Sequence, residues 1–491
     1  MTRLIWFRSD LRVDDNTALL NALRDAHRGE CKVGAIFYAT PGQWREHDMA
    51  PVKAEFIWRT LAQLRTSLAK LQVPLWVRVV PRYADIARDL AQFATDNHCD
   101  AVFANREYPV NETARDAAVD VALGERGILF KTFHDATLLP PGSVLTQMGQ
   151  PFKVFTPFKR ALIQRVAGET PQFEQPKSAG FWCDAPPLPD DLYESFWPYE
   201  KSGVPEKLWP AGEKAAFAQL QLFANEKLHD YRERRDFPLL DGTSRLSPYL
   251  ALGVISIRRC LDAALALNGG QWAGGEQGAD TWISELLWRE FYIHVLSAFP
   301  QVCKYRPMRP ETDAVAWRYD KEDFQRWCEG RTGFPLVDAA MRQLVQTGWM
   351  HNRLRMVTAM FLCKYLLIDW RWGEQFFMRH LIDGDLAANN GGWQWSASTG
   401  TDAAPYFRLL SPLRQAERFD DAGLFTKKML PELANVEAGL FIKPGAPQLL
   451  AAGYPEPVVD LKMGRERALS AFTQMAAVPV PQKTVSRKAG P

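Results

Sequence analysis

Apolar positions in the first 135 residues fall into short unbroken runs: 4–7 (LIWF), 32–38 (KVGAIFY), 75–80 (LWVRVV), 101–104 (AVFA) and 128–133 (ILFKTF). Such runs suit strands covered on both faces, because a half-exposed strand would alternate. Residues 52–71 and 84–97 instead carry apolar side chains at helical spacing. Strands alternating with helices predict an α/β, doubly wound parallel-sheet domain over residues 1–135. Prolines then recur from Pro140 to Pro198 and interrupt regular structure. Residues 136–205 are therefore expected to form a long connector lying over both domains, with the aromatic stretch 153–158 (KVFTPF) docked.

From 206 to 475 the period becomes helical, at 211–223, 257–267, 282–299, 334–347, 352–367 and 372–381, which predicts a larger all-α domain. Residues 476–491 are basic and contain proline, and disorder is expected there. Segment 383–402 breaks the pattern. It shows neither period, is rich in Gly, Asn and Asp, and reads as a loop. Yet it holds Trp393 and Trp395, separated by Gln394. Such a mixture suits a pocket that is polar toward one ligand and flat toward another.

A chain of 491 residues is too long for one ordinary domain. A net charge of +2 excludes a chain that binds polyanions by bulk charge, though not a local basic patch. The 7 cysteines lack zinc spacing, so reduced thiols and no metal site are expected. No signal-like N-terminus or bilayer-length apolar window is present, making the cytoplasm the default location and a membrane role unexpected. The 17 Trp do not by themselves separate core packing, stacking and redox roles.

Trp282, Glu285, Trp288, Arg289 and Tyr292 recur at helical spacing, as do Trp349, Asn352, Arg355 and Met356. The competing reading of the first set is a half-buried helix with a salt bridge. Arg355 and Asp383 are expected to pair. Residues 243–247 (TSRLS) read either as a helix N-cap cluster or as a phosphate grip of amides, hydroxyls and a guanidinium. Taken together, these groups suit a flavin or another dinucleotide held in the helical domain. The parallel-sheet domain has no GxGxxG, which argues against a Rossmann site there. No Ser/His/Asp or Cys/His arrangement stands out.

Residues 6–12 (WFRSDLR), 242–247 (GTSRLS), 288–292 (WREFY), 348–353 (GWMHNR) and 383–402 closely resemble the motifs of the photolyase/cryptochrome flavoproteins. The resemblance runs from about residue 3 to about residue 470 and is nearest to bacterial class I cyclobutane pyrimidine dimer photolyases. It implies FAD, active as FADH⁻, in the helical domain. Tyr231, Thr243, Ser244, Arg245, Leu246 and Ser247 would hold its diphosphate and ribityl part. Trp282, Glu285, Asn352 and Arg355 would lie along it. Asp383, Gly384 and Asp385 would meet the isoalloxazine, and Asn389 would face N5. A neutral amide there adapts to either protonation state of N5 without adding charge, which leans toward repair.

The same resemblance implies UV-damaged DNA as partner and light-driven electron transfer to a flipped-out dimer as the reaction. Trp288 and Trp395 would flank the dimer, and Glu285 would hydrogen-bond the pyrimidine edge and, if protonated, steady its radical anion. Arg289, Asn352, Arg353, Met356 and Gln415 would face DNA or dimer, with Arg234, Arg342 and Arg408 near phosphates. Trp393, Trp370 and Trp317 match an indole relay that reduces the flavin. His47, Asn111, Glu112, Cys303 and Lys304 match an antenna site for a reduced folate, 5,10-methenyltetrahydrofolate, with deazaflavin as its rival. A monomer is expected. The alternatives are a cryptochrome-type photoreceptor without repair, a (6-4) photolyase, for which His351 lacks an evident second histidine, and a dark flavin oxidoreductase.

Overall fold

The computed structural model describes residues 2–29, 31–168, 172–178, 180, 182–183 and 200–477. Pro171, Pro186, Pro187, Pro189, Pro198 and the tail from 478 lie outside the described residues.

Five strands form one parallel sheet: β1 Thr2–Phe7, β2 Lys32–Ala39, β3 Leu75–Val79, β4 Cys99–Asn105 and β5 Leu129–Phe133. Their order is β3-β2-β1-β4-β5. The chain starts in the middle, winds to one edge, then returns to build the other side. This is the expected doubly wound arrangement, and it creates a switch point between β1 and β4, beyond whose carboxyl ends ligands bind in such sheets. The five apolar runs predict the strands to within a residue or two, because helices cover both faces and leave the central strands almost wholly buried.

The first described part of the connector packs on the helical domain. The backbone N–H groups of Leu138 and Leu139 donate to Glu290, which is fully buried in the helix Gln277–Ala298. The helix Phe155–Val166 follows, and Phe155 stacks on Trp288 at 3.8 Å. Buried charges join the domains more directly. Arg258 of the helical domain reaches Asp15 at 2.7 Å and Asp135 at 2.8 Å, and within the α/β domain Arg12 meets the same Asp135 at 2.6 Å. Burial alone would raise the Asp135 carboxyl, but the two guanidiniums outweigh it and hold it well below the usual carboxylate range.

The helical domain departs from expectation in three places. The stretch expected as one helix over 352–367 is the helix Asn352–Met360 followed by a π-helical turn, Phe361–Tyr365. The segment expected as a loop contains the helix Leu386–Ala397. Asp385 caps it, accepting from the Ala388 N–H at 2.9 Å, and Ser398 ends it at φ 63°. Gly391 hides the period. A Cβ at that position would come within 2.3 Å of the Tyr292 ring, so close helix packing, rather than a turn, requires the glycine. Finally, residues 243–247 do not form an N-cap cluster: Leu246 is the N-cap residue of the short helix Ser247–Ala251 and no side chain caps it. Among the described residues, no helix is long and apolar enough to cross a membrane.

Candidate functional site

The switch point opens into a cavity of about 350 Å³ between the domains. Ser9 and Asp10 after β1, and Arg106 to Pro109 after β4, line it from the sheet side. All five residues expected at an antenna site (His47, Asn111, Glu112, Cys303 and Lys304) lie on its wall. Asn111 and Glu112 sit in the first turn of the helix Val110–Gly124. His47 Nε2 lies 2.8 Å from Asn111 Nδ2, and Tyr83 donates to Glu112 Oε1 at 3.2 Å. Burial, with Glu107 nearby, pushes the Glu112 carboxyl up. Its second oxygen is buried without a partner among the described residues, leaving it open to a ligand. Lys53, Tyr83 and Glu374 also line the cavity, and no motif signalled them.

The segment 383–389 separates this cavity from a second group of polar side chains. Asp385 lines the cavity, as do Gly384 and Ala387, and Lys53 Nζ donates to the Gly384 carbonyl at 2.5 Å. Asp383 turns the other way. Its Oδ2 accepts from Arg355 at 2.8 Å, while Oδ1 is buried without a partner among the described residues. Asn389 Nδ2 donates to the Glu374 carbonyl at 3.0 Å, which orients its amide. Asn390 donates to the Glu374 carboxyl at 2.8 Å, and burial pushes that acid up to about 7.

Residues 243–247 contact Trp349, whose indole N–H donates to Ser247 Oγ at 3.3 Å. Arg245 lies over the Trp349 ring at φ 49°. Leu246 is fully buried, so only its backbone is offered to a ligand. Tyr231 and Trp282 each pack edge-on against Phe223, and both are buried. A dinucleotide fits this set: hydroxyls and a guanidinium at one end, and an open carboxylate oxygen with an oriented amide at the other.

Glu285 pairs with Arg235 at 2.7 Å, and Arg353 pairs with Asp236 at 2.5 Å while covering Phe419. Arg235 and Asp236 stand next to each other in the chain, so one two-residue element ties Glu285 to the Asn352–Met360 helix. Neither residue carried a sequence signal. Asn352 is exposed and Met356 half-buried on that helix, and Gln415 Oε1 is a buried acceptor without a partner among the described residues.

Two residues expected near DNA have partners within the protein. Arg289 was expected at the DNA face; it instead donates to the Ala136 carbonyl at 2.8 Å and lines the inter-domain cavity. The cause is helical rotation, since at 100° per residue it diverges from its neighbour Trp288. Arg342, expected near phosphate, is in an ion pair with Glu432 at 2.6 Å.

The helix Leu386–Ala397 sends its two indoles apart. Positions two residues apart differ by about 200°, so Trp393 and Trp395 point to nearly opposite faces. Trp393 is 2% exposed and packs on Gly373, where a Cβ would fall 2.1 Å from the indole. Trp370, one turn before Gly373, is fully buried, and Trp317 is 8% exposed. The indole in ring contact with Trp393 among the described residues is Trp327, at 6.1 Å.

A family model described as "DNA photolyase" matches residues 3–177, and one described as "FAD binding domain of DNA photolyase" matches residues 282–474. A deoxyribodipyrimidine photo-lyase of Vibrio cholerae is 45% identical over 96% of this chain and 99% of its own length. The chain belongs to the DNA photolyase family. Its enterobacterial relative, the deoxyribodipyrimidine photo-lyase of Escherichia coli, is 44% identical over 96% of this chain and 98% of its own. Among solved photolyases, a class III enzyme of Agrobacterium tumefaciens superposes with a TM-score of 0.86 at 35% identity, covering 97% of this chain and 98% of that one. Within this photolyase, the second matched region spans the helices that carry Trp282, Asn352, Trp370 and Asn389.

Proposed function

We propose that this photolyase repairs cyclobutane pyrimidine dimers in DNA under light, with FAD in the helical domain. One observation carries the reading. A single helix, Leu386–Ala397, carries the oriented amide of Asn389 and the buried indole of Trp393 one turn apart on one face, and the half-buried indole of Trp395 on nearly the opposite face. One element thereby addresses a cofactor, a source of electrons and a flat substrate.

When bound in reduced form and excited by light, FAD supplies the electron that opens the cyclobutane ring. The chain's residues prepare that event. Arg355, Asp383 and Asn389 hold the cofactor by charge and hydrogen bonds, while Thr243 to Ser247 hold its phosphates. Trp288 and Trp395 take the flipped dimer between them, Trp288 being braced from behind by Phe155. A cross-linked dimer stacks and pairs badly, which makes its extrusion less costly than that of a normal base. Glu285, braced by Arg235, bonds the pyrimidine edge. Asn352, Arg353, Met356 and Gln415 supply the surrounding DNA contacts. Trp393, Trp370 and Trp317 carry electrons inward when the cofactor is oxidised.

The inter-domain cavity suits an antenna chromophore, and we assign a reduced folate to it. Asn111, with donor and acceptor together, and the open oxygen of Glu112 complement the edge of a pterin. The (6-4) alternative loses support at His351. That residue is 1% exposed, accepts the Arg353 N–H as a helix cap, and is pushed by burial down to about 4. It is thus committed to structure and is not a lesion-facing acid.

The deciding assay mixes the purified protein, its flavin chemically reduced, with UV-irradiated oligo-thymidylate under blue light. Absorbance of the thymine band is expected to recover; its failure to do so would sink the repair reading.

A further inference from the structure

Trp393 opens onto an aromatic path that the expected relay does not use. From Trp327, which is fully buried and 6.1 Å from Trp393, the path runs through the stacked ring of Phe324 at 5.8 Å. Phe324 meets Trp372 at 5.1 Å, and Trp372 meets Tyr319 at 5.7 Å. Burial falls steadily along it: Trp327 is fully buried, Trp372 half-buried and Tyr319 63% exposed. Trp317, the outer member of the expected relay, is only 8% exposed and is covered edge-on by Phe472.

We propose that Trp327, Trp372 and Tyr319 form a second electron entry, branching at Trp393 and reaching the surface at Tyr319. The proposal rests on the photoreduction reading above and deepens it.

The hydrogen bonds suit each member to its place. The Trp327 indole N–H donates to the Thr358 carbonyl at 3.2 Å. A carbonyl does not take that proton, so an oxidised Trp327 stays a radical cation and passes the hole on. The Tyr319 hydroxyl donates to Asp369 Oδ2 at 3.4 Å, and a carboxylate can take the proton. A cation is also better solvated at half-buried Trp372 than in the dry interior at Trp327.

The electron balance closes as follows. One electron leaves Trp393 for the photoexcited oxidised cofactor. Trp327 refills Trp393, and Trp372 refills Trp327 across the Phe324 ring. Tyr319 then refills Trp372, its phenolic proton passing to Asp369. The resulting neutral tyrosyl radical is reduced by a solution thiol, which gives up a hydrogen atom and is itself oxidised to a thiyl radical, then to disulfide.

The test uses FAD-loaded protein illuminated in the presence of dithiothreitol. Radicals are trapped by freezing and read by electron paramagnetic resonance, with ring-deuterated tyrosine incorporated. Trp370→Phe is expected to retain photoreduction and to show a tyrosyl signal that narrows on deuteration. Adding Tyr319→Phe, an exposed change that leaves the core intact, is expected to abolish that signal. Adding Trp327→Phe is expected to abolish photoreduction as well. If Trp370→Phe alone stops photoreduction and no tyrosyl signal forms, the branch is overturned and the linear relay stands. If Trp393→Phe photoreduces as fast as the parent protein, the underlying relay reading fails with it.

Discussion

Arg355 donates to Asp383 Oδ2 at 2.8 Å, yet Asp383 Oδ1 stays buried without a partner among the described residues. A carboxylate so placed is half-satisfied until a ligand donor completes it. Asp383→Ala removes both the donor's partner and the open acceptor and leaves Arg355 without its counter-charge. Loss of such a charge-assisted bond costs about 1.5–3 kcal/mol. FAD retention is therefore expected to weaken about 10- to 100-fold, as measured by equilibrium dialysis against free flavin.

Phe155 and Trp288 stack at 3.8 Å, so the indole proposed to face the dimer is held on one side. Trp288→Ala should cut affinity for dimer-containing DNA about tenfold, from a stacking loss of about 1–3 kcal/mol. Phe155→Leu should cost less, roughly 0.5–1.5 kcal/mol. Affinity for undamaged DNA should hardly change in either variant. Parallel titrations of both DNAs by fluorescence anisotropy check the difference.

Gly373 lies against the Trp393 indole with no room for a methyl group, the nearest ring atom being 2.1 Å from a built Cβ. Gly373→Ala should therefore destabilise the protein by about 1–3 kcal/mol through overpacking. It should also slow flavin photoreduction by displacing Trp393. Thermal melting and light-driven bleaching of the flavin band follow the two effects separately.

Glu374 has a pH signature. Burial raises its carboxyl from 4.5 to about 7. A raised acid adds stability that is fully present below the unfolded value and is lost as pH rises through the folded one. Stability should accordingly fall between about pH 4.5 and 7 from this group, and Glu374→Gln should flatten that slope. Urea midpoints across this range test it, and no change in slope would remove Glu374 from the account.

The sheet was legible because unbroken apolar runs have few alternatives. Several of the longer helices were legible because their period is regular. The helix Leu386–Ala397 was not. Gly391 is there for the Tyr292 ring and Asp385 for a cap, so its composition resembles a turn while its packing demands a helix. Where motifs are long the sequence brought the right residues together, as in the Arg355–Asp383 pair and in the five residues expected at an antenna site, which line one cavity. Lys53 and Arg235 act across the fold, 331 and 50 residues from their partners, and local pattern carries no trace of such pairs. Arg289 shows the converse error: a motif neighbour need not share its neighbour's direction.

The strip of backbone at 383–387 serves two neighbours at once, with Asp383 paired to Arg355 and Gly384 to Ala387 lining the inter-domain cavity. Because Asp383 and the cavity-lining residues Gly384 to Ala387 are consecutive, that strip cannot be redrawn without moving the Asp383–Arg355 pair. A change in what the cavity accepts is left to its other walls, among them His47, Asn111 and Glu112 from the α/β domain and Cys303 and Lys304 from the helical one.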